Sequence, residues 1–237
     1  MKIFRNFFRN LKYKYKFNGV KKNLDITYVL NGKTNQDLKI LMDNYGSDKG
    51  GKNNEHNFAQ YYSQIFHNQK DKIENFLEIG LGTNDINMPS NMGKDGKPLA
   101  SLRAWRDYFK NANIYGADID KDILFVENRI ETFFLDQADK NSVNKMWSDL
   151  NKKNFDLIVD DGLHTYEAAI ILFENSIEYL SENGIYIIED AQDKDLLKFK
   201  KYFDEKLSNY NYNIIVLKKA VNTKSNNNLI EIRKIFK

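Results

Sequence analysis

The chain has 237 residues, 41% of them hydrophobic and 14% aromatic, with 36 Lys/Arg against 33 Asp/Glu and no cysteine. This is enough apolar material for one sizeable core, while the missing cysteines exclude disulfides, thiolate metal sites and cysteine nucleophiles, so any metal must be held by oxygen or imidazole. The net charge of +3 is uneven, because residues 1–22 carry eight Lys/Arg and no acid, leaving 28 basic against 33 acidic residues, or −5, in the remainder; a mildly acidic body argues against a nucleic-acid partner.

No apolar run approaches the roughly 18 residues that span a bilayer, and the first residues lack the continuous apolar core of a signal peptide. The expectation is a soluble, cytoplasmic protein. Ile3, Phe4, Phe7, Phe8 and Leu11 fall at helical spacing with Lys2, Arg5, Arg9 and Lys12 between them, the pattern of a basic amphipathic arm. It opens an extension over 1–34 ahead of a domain over 35–237. Such an arm either attaches to an anionic membrane surface or a partner, or docks on its own domain or a neighbouring subunit.

Residues 35–45 predict a helix, and His56-Asn57-Phe58-Ala59-Gln60-Tyr61-Tyr62 opens another. Between them Tyr45 to Gly51, rich in glycine and charge, is either a cover for a ligand or only a connector. Asn75 to Gly80 reads as a strand that ends in the turn Gly80-Leu81-Gly82, where glycine lets the backbone approach a ligand closely. The dinucleotide pattern G-x-G-x-x-G fails because Asp85 stands at its third glycine. An E-x-G-x-G turn fits instead a nucleoside-type cofactor that has no pyrophosphate. Residues 83–98, with Pro89, Gly93, Gly96 and Pro98, form an irregular insertion of the kind that serves as a lid. Ser101 caps or begins a helix whose Leu102, Trp105 and Phe109 have core spacing.

Ile114 to Asp120 predicts the second strand, whose terminal acid can accept ribose hydroxyls. Ile130 to Leu135 predicts a third, ending at Asp136-Gln137, an acceptor and an amide suited to an adenine edge. Phe155 to Asp160 and Gly184 to Ile188 are short apolar runs of the size of buried parallel strands, and each stops at two acids, Asp160-Asp161 and Glu189-Asp190. Thr165 to Leu180 supplies the crossover helix between them, and Lys194 to Leu207 the next. Tyr212 to Leu217 and Leu229 to Ile232, joined by the polar loop 221–228, predict a terminal antiparallel hairpin.

Ligands of parallel α/β sheets sit beyond the carboxyl ends of the strands, so these acids point into one site. Asp161, Glu189 and Asp190 are hard oxygen donors suited to Mg²⁺ or Mn²⁺. A cation there would lower the pKa of a bound hydroxyl. His164, just past the double-acid strand end, is the natural general base for that hydroxyl.

Glu78-Ile79-Gly80-Leu81-Gly82, Asp118 and Asp136-Gln137 are similar to the cofactor motifs of class I S-adenosylmethionine-dependent methyltransferases. Ser47-Asp48-Lys49-Gly50 with His56, Ser101-Leu102-Arg103-Ala104-Trp105, Asp160-Asp161-Gly162-Leu163-His164 and Glu189-Asp190 narrow the likeness. Together they resemble the metal-dependent sugar O-methyltransferases of macrolide biosynthesis, as in the mycinose pathway, and related enzymes of surface-polysaccharide modification. The resemblance runs from about residue 40 to residue 190.

It implies a Rossmann-like α/β fold with a seven-stranded, mostly parallel sheet, an antiparallel last strand and helices on both faces. It also implies S-adenosyl-L-methionine held by Glu78, Gly80, Gly82, Ser101, Asp118, Asp136, Gln137 and Asp160. Mg²⁺ would be held by Asp161, Glu189 and Asp190, and His164 would take the acceptor proton. Sequence alone leaves Asp160 and Asp161 as rival metal ligands, and the family pattern favours Asp161. The partners expected are a sugar or other small-molecule acceptor and a second copy of the chain in a homo-oligomer. Two alternatives remain: a metal-independent methyltransferase in which His164 works alone, and a non-catalytic methyltransferase-like subunit that binds a partner.

Overall fold

The computed structural model describes residues 26–27, 36–51, 56–206, 208–217 and 227–235. The amphipathic arm expected over 1–22, and most of the loop 221–228, lie outside these residues.

Among the described residues nine strands form one sheet: β1 (Ile26–Thr27), β2 (Asn75–Ile79), β3 (Asn113–Asp118), β4 (Val126–Glu127), β5 (Ile130–Phe134), β6 (Phe155–Asp160), β7 (Leu180–Ile188), β8 (Tyr210–Val216) and β9 (Asn228–Lys234). Their spatial order is β1-β8-β9-β7-β6-β2-β3-β5-β4. The seven longer strands are the expected seven, and β1 and β4 add two-residue ribbons at the two edges. Strands β2, β3, β5, β6 and β7 pair in parallel. The antiparallel hairpin expected at the tail is present: β9 inserts between β7 and β8 and runs antiparallel to both. Strand β8 consequently runs with the parallel set.

Six α-helices among the described residues cover the faces: α1 (Asp37–Tyr45), α2 (Phe58–Phe66), α3 (Ala100–Tyr108), α4 (Lys140–Leu150), α5 (Tyr166–Ser176) and α6 (Leu196–Asp204). Side chains of a strand alternate between faces, and the alternation divides the core in two. Phe76, Leu157, Val159, Ile185 and Ile187 pack with α1, α2 and α3. Leu77, Phe155, Ile158, Tyr186 and Ile188 pack with α4, α5 and α6. The result is a three-layer α/β/α domain with its strand ends opening at one rim.

Local chemistry sets the helix limits. Asp139 and Thr165 accept bonds from the first-turn amides of α4 and α5, at 2.9 Å from Asn141 N and 3.3 Å from Ala168 N. Gly46, at φ +88°, closes α1 in the left-handed conformation. Helix α3 begins at Ala100, one residue before Ser101, so Ser101 lies in the first turn instead of capping it.

Trp105 is fully buried, as its spacing suggests. Its ring stands edge-on to Tyr62 at 4.9 Å, tilted against Phe76 at 5.0 Å and stacked on Phe109 at 5.4 Å. Truncation leaves a cavity that helix and sheet cannot both close. Trp105→Ala is expected to cost roughly 3–5 kcal/mol, read as a lower urea midpoint at unchanged m value.

Candidate functional site

The site is built where β2, β3, β5, β6 and β7 end. Gly80 and Gly82 turn the chain out of β2 at φ +85° and +77°. At Gly80 a Cβ would lie 2.0 Å from the Asp161 carbonyl oxygen, so the β2 turn and the end of β6 meet backbone to backbone. At Gly82 it would strike Met92 Sδ at 2.1 Å. Glycine is required at Gly80 by conformation and by backbone space, and at Gly82 by conformation, since the Met92 side chain can move aside.

These turns wall a cleft of about 160 Å³. Of the expected cofactor residues, Gly80, Gly82, Ser101, Asp118, Asp136 and Gln137 line it. Asp118 is fixed by two amides, Leu81 N at 2.6 Å and Asp120 N at 2.9 Å, while burial pushes its carboxyl up. The irregular stretch after β2 contributes Pro89, Ser90, Met92 and Lys97 to the opposite wall. Gln137 reaches the cleft, but its amide is engaged within the fold: Nε2 donates to Asp160 Oδ1 at 2.7 Å and Oε1 accepts from Leu163 N at 2.8 Å.

Glu78 and Asp160 do not line the cleft. Glu78 is fully buried, accepts the Ser101 hydroxyl at 2.6 Å and is pushed up by burial. Asp160 is 3% exposed, and burial raises its carboxyl to about 7. Both act from behind the cleft wall.

The largest departure from the sequence reading is Lys49. It belongs to a single helical turn, Asp48–Gly50, in the stretch expected to be a cover or a connector. Its ammonium is 3% exposed and sits among three carboxylates: Asp161 Oδ2 at 2.5 Å, Glu189 Oε2, and Glu78 Oε1 at 3.4 Å. Burial opposes the charge, but Asp161, Glu189 and Glu78 outweigh it and hold the lysine protonated. Burial also works against Asp161, yet the Lys49 ammonium keeps that carboxyl below its usual range. Glu189 accepts in addition from the buried Tyr62 hydroxyl at 2.5 Å.

The acids therefore divide. Glu189 turns inward to Lys49 and Tyr62, whereas Asp161, His164 and Asp190 each offer one ligand atom, all within 4.8 Å of one another. His56 braces the outer side of this group, with Nδ1 3.3 Å from Asp190 Oδ1 and Nε2 3.8 Å from Asp48 Oδ2. His164 and Asp190 both hold left-handed backbone, at φ +57° and +50°, a conformation that non-glycine residues adopt at a cost and that aims both side chains at the cleft. Burial pushes the His164 imidazole below its ordinary 6.5, against the attraction of Asp161.

The donor set fits a hard divalent cation. Glu78, Asp161 and Glu189 crowd around one lysine and Asp190 stands beside Asp161, an excess of negative charge in a largely buried setting, and such a cation prefers the carboxylate oxygens to the imidazole.

No family model matches the chain. It is 30% identical over 161 residues to 8-demethyl-8-alpha-L-rhamnosyl tetracenomycin-C 2'-O-methyltransferase of Streptomyces olivaceus, covering 68% of this chain and 39% of that protein. It is 31% identical over 154 residues to demethylmacrocin O-methyltransferase of Streptomyces fradiae, covering 65% and 36%. Mycinamicin VI 2''-O-methyltransferase of Micromonospora griseorubida is similar at 30% over 159 residues, covering 67% and 37%. Among solved structures, MycE methyltransferase of the mycinamycin pathway, in complex with Mg and SAH, superposes with a TM-score of 0.63 at 24% identity over 84% of this chain and 54% of that one.

This is the class I methyltransferase fold. The chain is homologous to sugar O-methyltransferases over about two thirds of its length, and it spans less than two fifths of the length of those curated relatives. In this methyltransferase fold the glycine turn, Asp118 and Asp136 sit on the cleft side, and the acid and imidazole group closes its far end.

Lys49 has no substitute among the groups around it. Lys49→Met strands buried carboxylates and is expected to destabilise the chain by roughly 3–5 kcal/mol in urea denaturation. Adding Glu189→Gln removes one stranded charge and should recover part of that loss.

Proposed function

We propose that this chain is an S-adenosylmethionine-dependent, Mg²⁺-assisted O-methyltransferase acting on a hydroxyl of a sugar, either on a natural product or in a surface polysaccharide. The observation that carries the reading is the position of His164, which lines the nucleoside-sized cleft and stands beside Asp161 and Asp190. The sugar acceptor is taken from the names of two relatives, which specify O-methylation of a rhamnosyl tetracenomycin and of an L-olivosyl-oleandolide.

When bound, S-adenosylmethionine supplies the methyl group on a sulfonium and Mg²⁺ acidifies a hydroxyl brought to it. Asp118 would accept from ribose hydroxyls, Asp136 would read the base, and the Gly80–Gly82 turn would let the chain approach the cofactor closely. Asp161 and Asp190 would hold the cation, with Glu189 fixing Asp161 through their shared Lys49. His164 takes the proton as the acceptor oxygen gains the methyl group. Burial keeps the imidazole neutral near pH 7, in the form a base requires. The walls from 83–98 and 47–49 hold acceptor and cofactor together, which makes the collision effectively intramolecular. The basic residues 1–22 are proposed as the contact with an anionic surface or a second subunit.

One observation favours a metal-independent variant: the Lys49 ammonium already sits on Asp161. Calorimetric titration with S-adenosylhomocysteine, before and after EDTA and with Mg²⁺ restored, separates the readings. Binding in all three is expected, with transfer to sugar acceptors lost on chelation. Transfer that survives EDTA selects the metal-independent reading, and absence of binding throughout overturns the methyltransferase assignment.

His164→Ala should lower methyl transfer by about 10²–10⁴-fold while leaving S-adenosylhomocysteine affinity unchanged. In the parent chain the rate should hold through neutral pH. It should fall only as the pH drops below the ordinary histidine value, because burial delays uptake of the inactivating proton.

A further inference from the structure

Behind His164, between the ends of β6 and β7 and the start of α5, lies a second, small chamber of about 10 Å³. Ala169, Ile188 and Phe199 contribute apolar wall, and Asp160 and His164 border it together with other polar residues, among them Thr165, Glu189, Gln192 and Asp195. Asp160 borders this chamber and not the cofactor cleft, while His164 borders both. The imidazole is thus the partition between them.

Two buried atoms at this partition have no hydrogen-bond partner among the described residues: Asp160 Oδ2 and His164 Nδ1. The other Asp160 oxygen is already engaged, accepting from Gln137 Nε2 at 2.7 Å. Only Nδ1 of the two His164 ring nitrogens is buried in this way, which places the Nδ1 edge inward and the Nε2 edge toward the cleft. A buried carboxylate oxygen and a buried ring nitrogen both demand partners. A polar cavity of roughly 10–15 Å³ with at least two such partners holds one water.

We propose that the chamber is a binding site for one structural water, which accepts from His164 Nδ1–H and donates to Asp160 Oδ2. Asp160 is then a positioning residue: through the water it fixes the imidazole in the Nδ1–H tautomer and leaves the Nε2 lone pair facing the acceptor. No proton leaves the chamber in this arrangement. The inference rests on the reading of His164 as the base, and it gives Asp160, expected from sequence to touch the cofactor, a different task.

The neighbouring bonds make the idea testable with one substitution. Gln137 Oε1 is committed to Leu163 N, so Gln137 must present its NH₂ to residue 160. In Asp160→Asn the new amide must therefore give its oxygen to Gln137 and turn its NH₂ to the chamber. The water then reverses, accepting from the amide and donating to Nδ1, and His164 is driven to the Nε2–H tautomer.

The chain has three histidines, so ¹⁵N-histidine labelling with long-range ¹H–¹⁵N correlation resolves each ring, with His164→Ala identifying the signal. In mildly alkaline buffer, without cation or substrate, the full chain should show His164 as Nδ1–H, and Asp160→Asn should lose that signal and gain Nε2–H. An Nε2–H ring in the parent chain, or the same tautomer in both, overturns the proposal.

Should Asp160→Asn fail to fold, a crystal structure of the parent chain that resolves ordered waters decides. A water within hydrogen-bond distance of both atoms is expected, and a dry chamber overturns it. Because the tautomer is read without turnover, the expected tautomers in a protein that transfers no methyl group would sink the enzymatic reading and leave the water site standing.

Discussion

The ammonium of Lys49 ties this site together. It reaches from the turn between α1 and α2 into a buried space where β2, β6 and β7 each deliver a carboxylate, Glu78, Asp161 and Glu189. Three acids on adjacent parallel strand ends repel one another in a poorly screened interior. The lysine turns that repulsion into a shared anchor and fixes the loop that supplies Ser47 and Asp48 to the cleft. The ends of β2, β6 and β7 and the loop that walls the cleft depend on one charge.

Period-two alternation explains the division of labour among the acids. Glu78 follows Phe76 and Glu189 follows Ile187 on the face covered by α1, α2 and α3, and this is the face from which Lys49 and Tyr62 arrive. Asp160 follows Ile158 on the opposite face, beneath α5. Asp161 lies one residue and Asp190 two residues past the sheet, where the backbone turns and the side chains can meet His164. Adjacent acids of the same type thus take up different work because a strand alternates and a turn does not.

Much of this was legible in the sequence, and the losses have physical causes. The apolar runs at 75–79, 155–160 and 184–188 announced buried parallel strands, and the acids after them announced a rim. Lys49 stood in the signature Ser47-Asp48-Lys49-Gly50, but its role was hidden because a stretch rich in glycine and charge looks like solvated loop, and nothing local reveals three distant strand ends converging on it. The alternation of Phe76 with Glu78 and of Ile187 with Glu189 was the available signal that two of the acids face away from the cleft. Gln137 was read as an adenine contact because an amide after a strand end gives no hint of a cross-strand brace to Asp160. The place of β9 between β7 and β8 is a non-local pairing, and hairpin spacing alone suggests an edge.

A Cβ at Gly80 would meet the Asp161 carbonyl oxygen, so the turn after β2 and the chain leaving β6 touch main chain to main chain. They are two sides of a single backbone wall. A shift of the turn toward β6 meets peptide atoms and no side chain that could rotate away, so the two segments hold their spacing as one rigid unit.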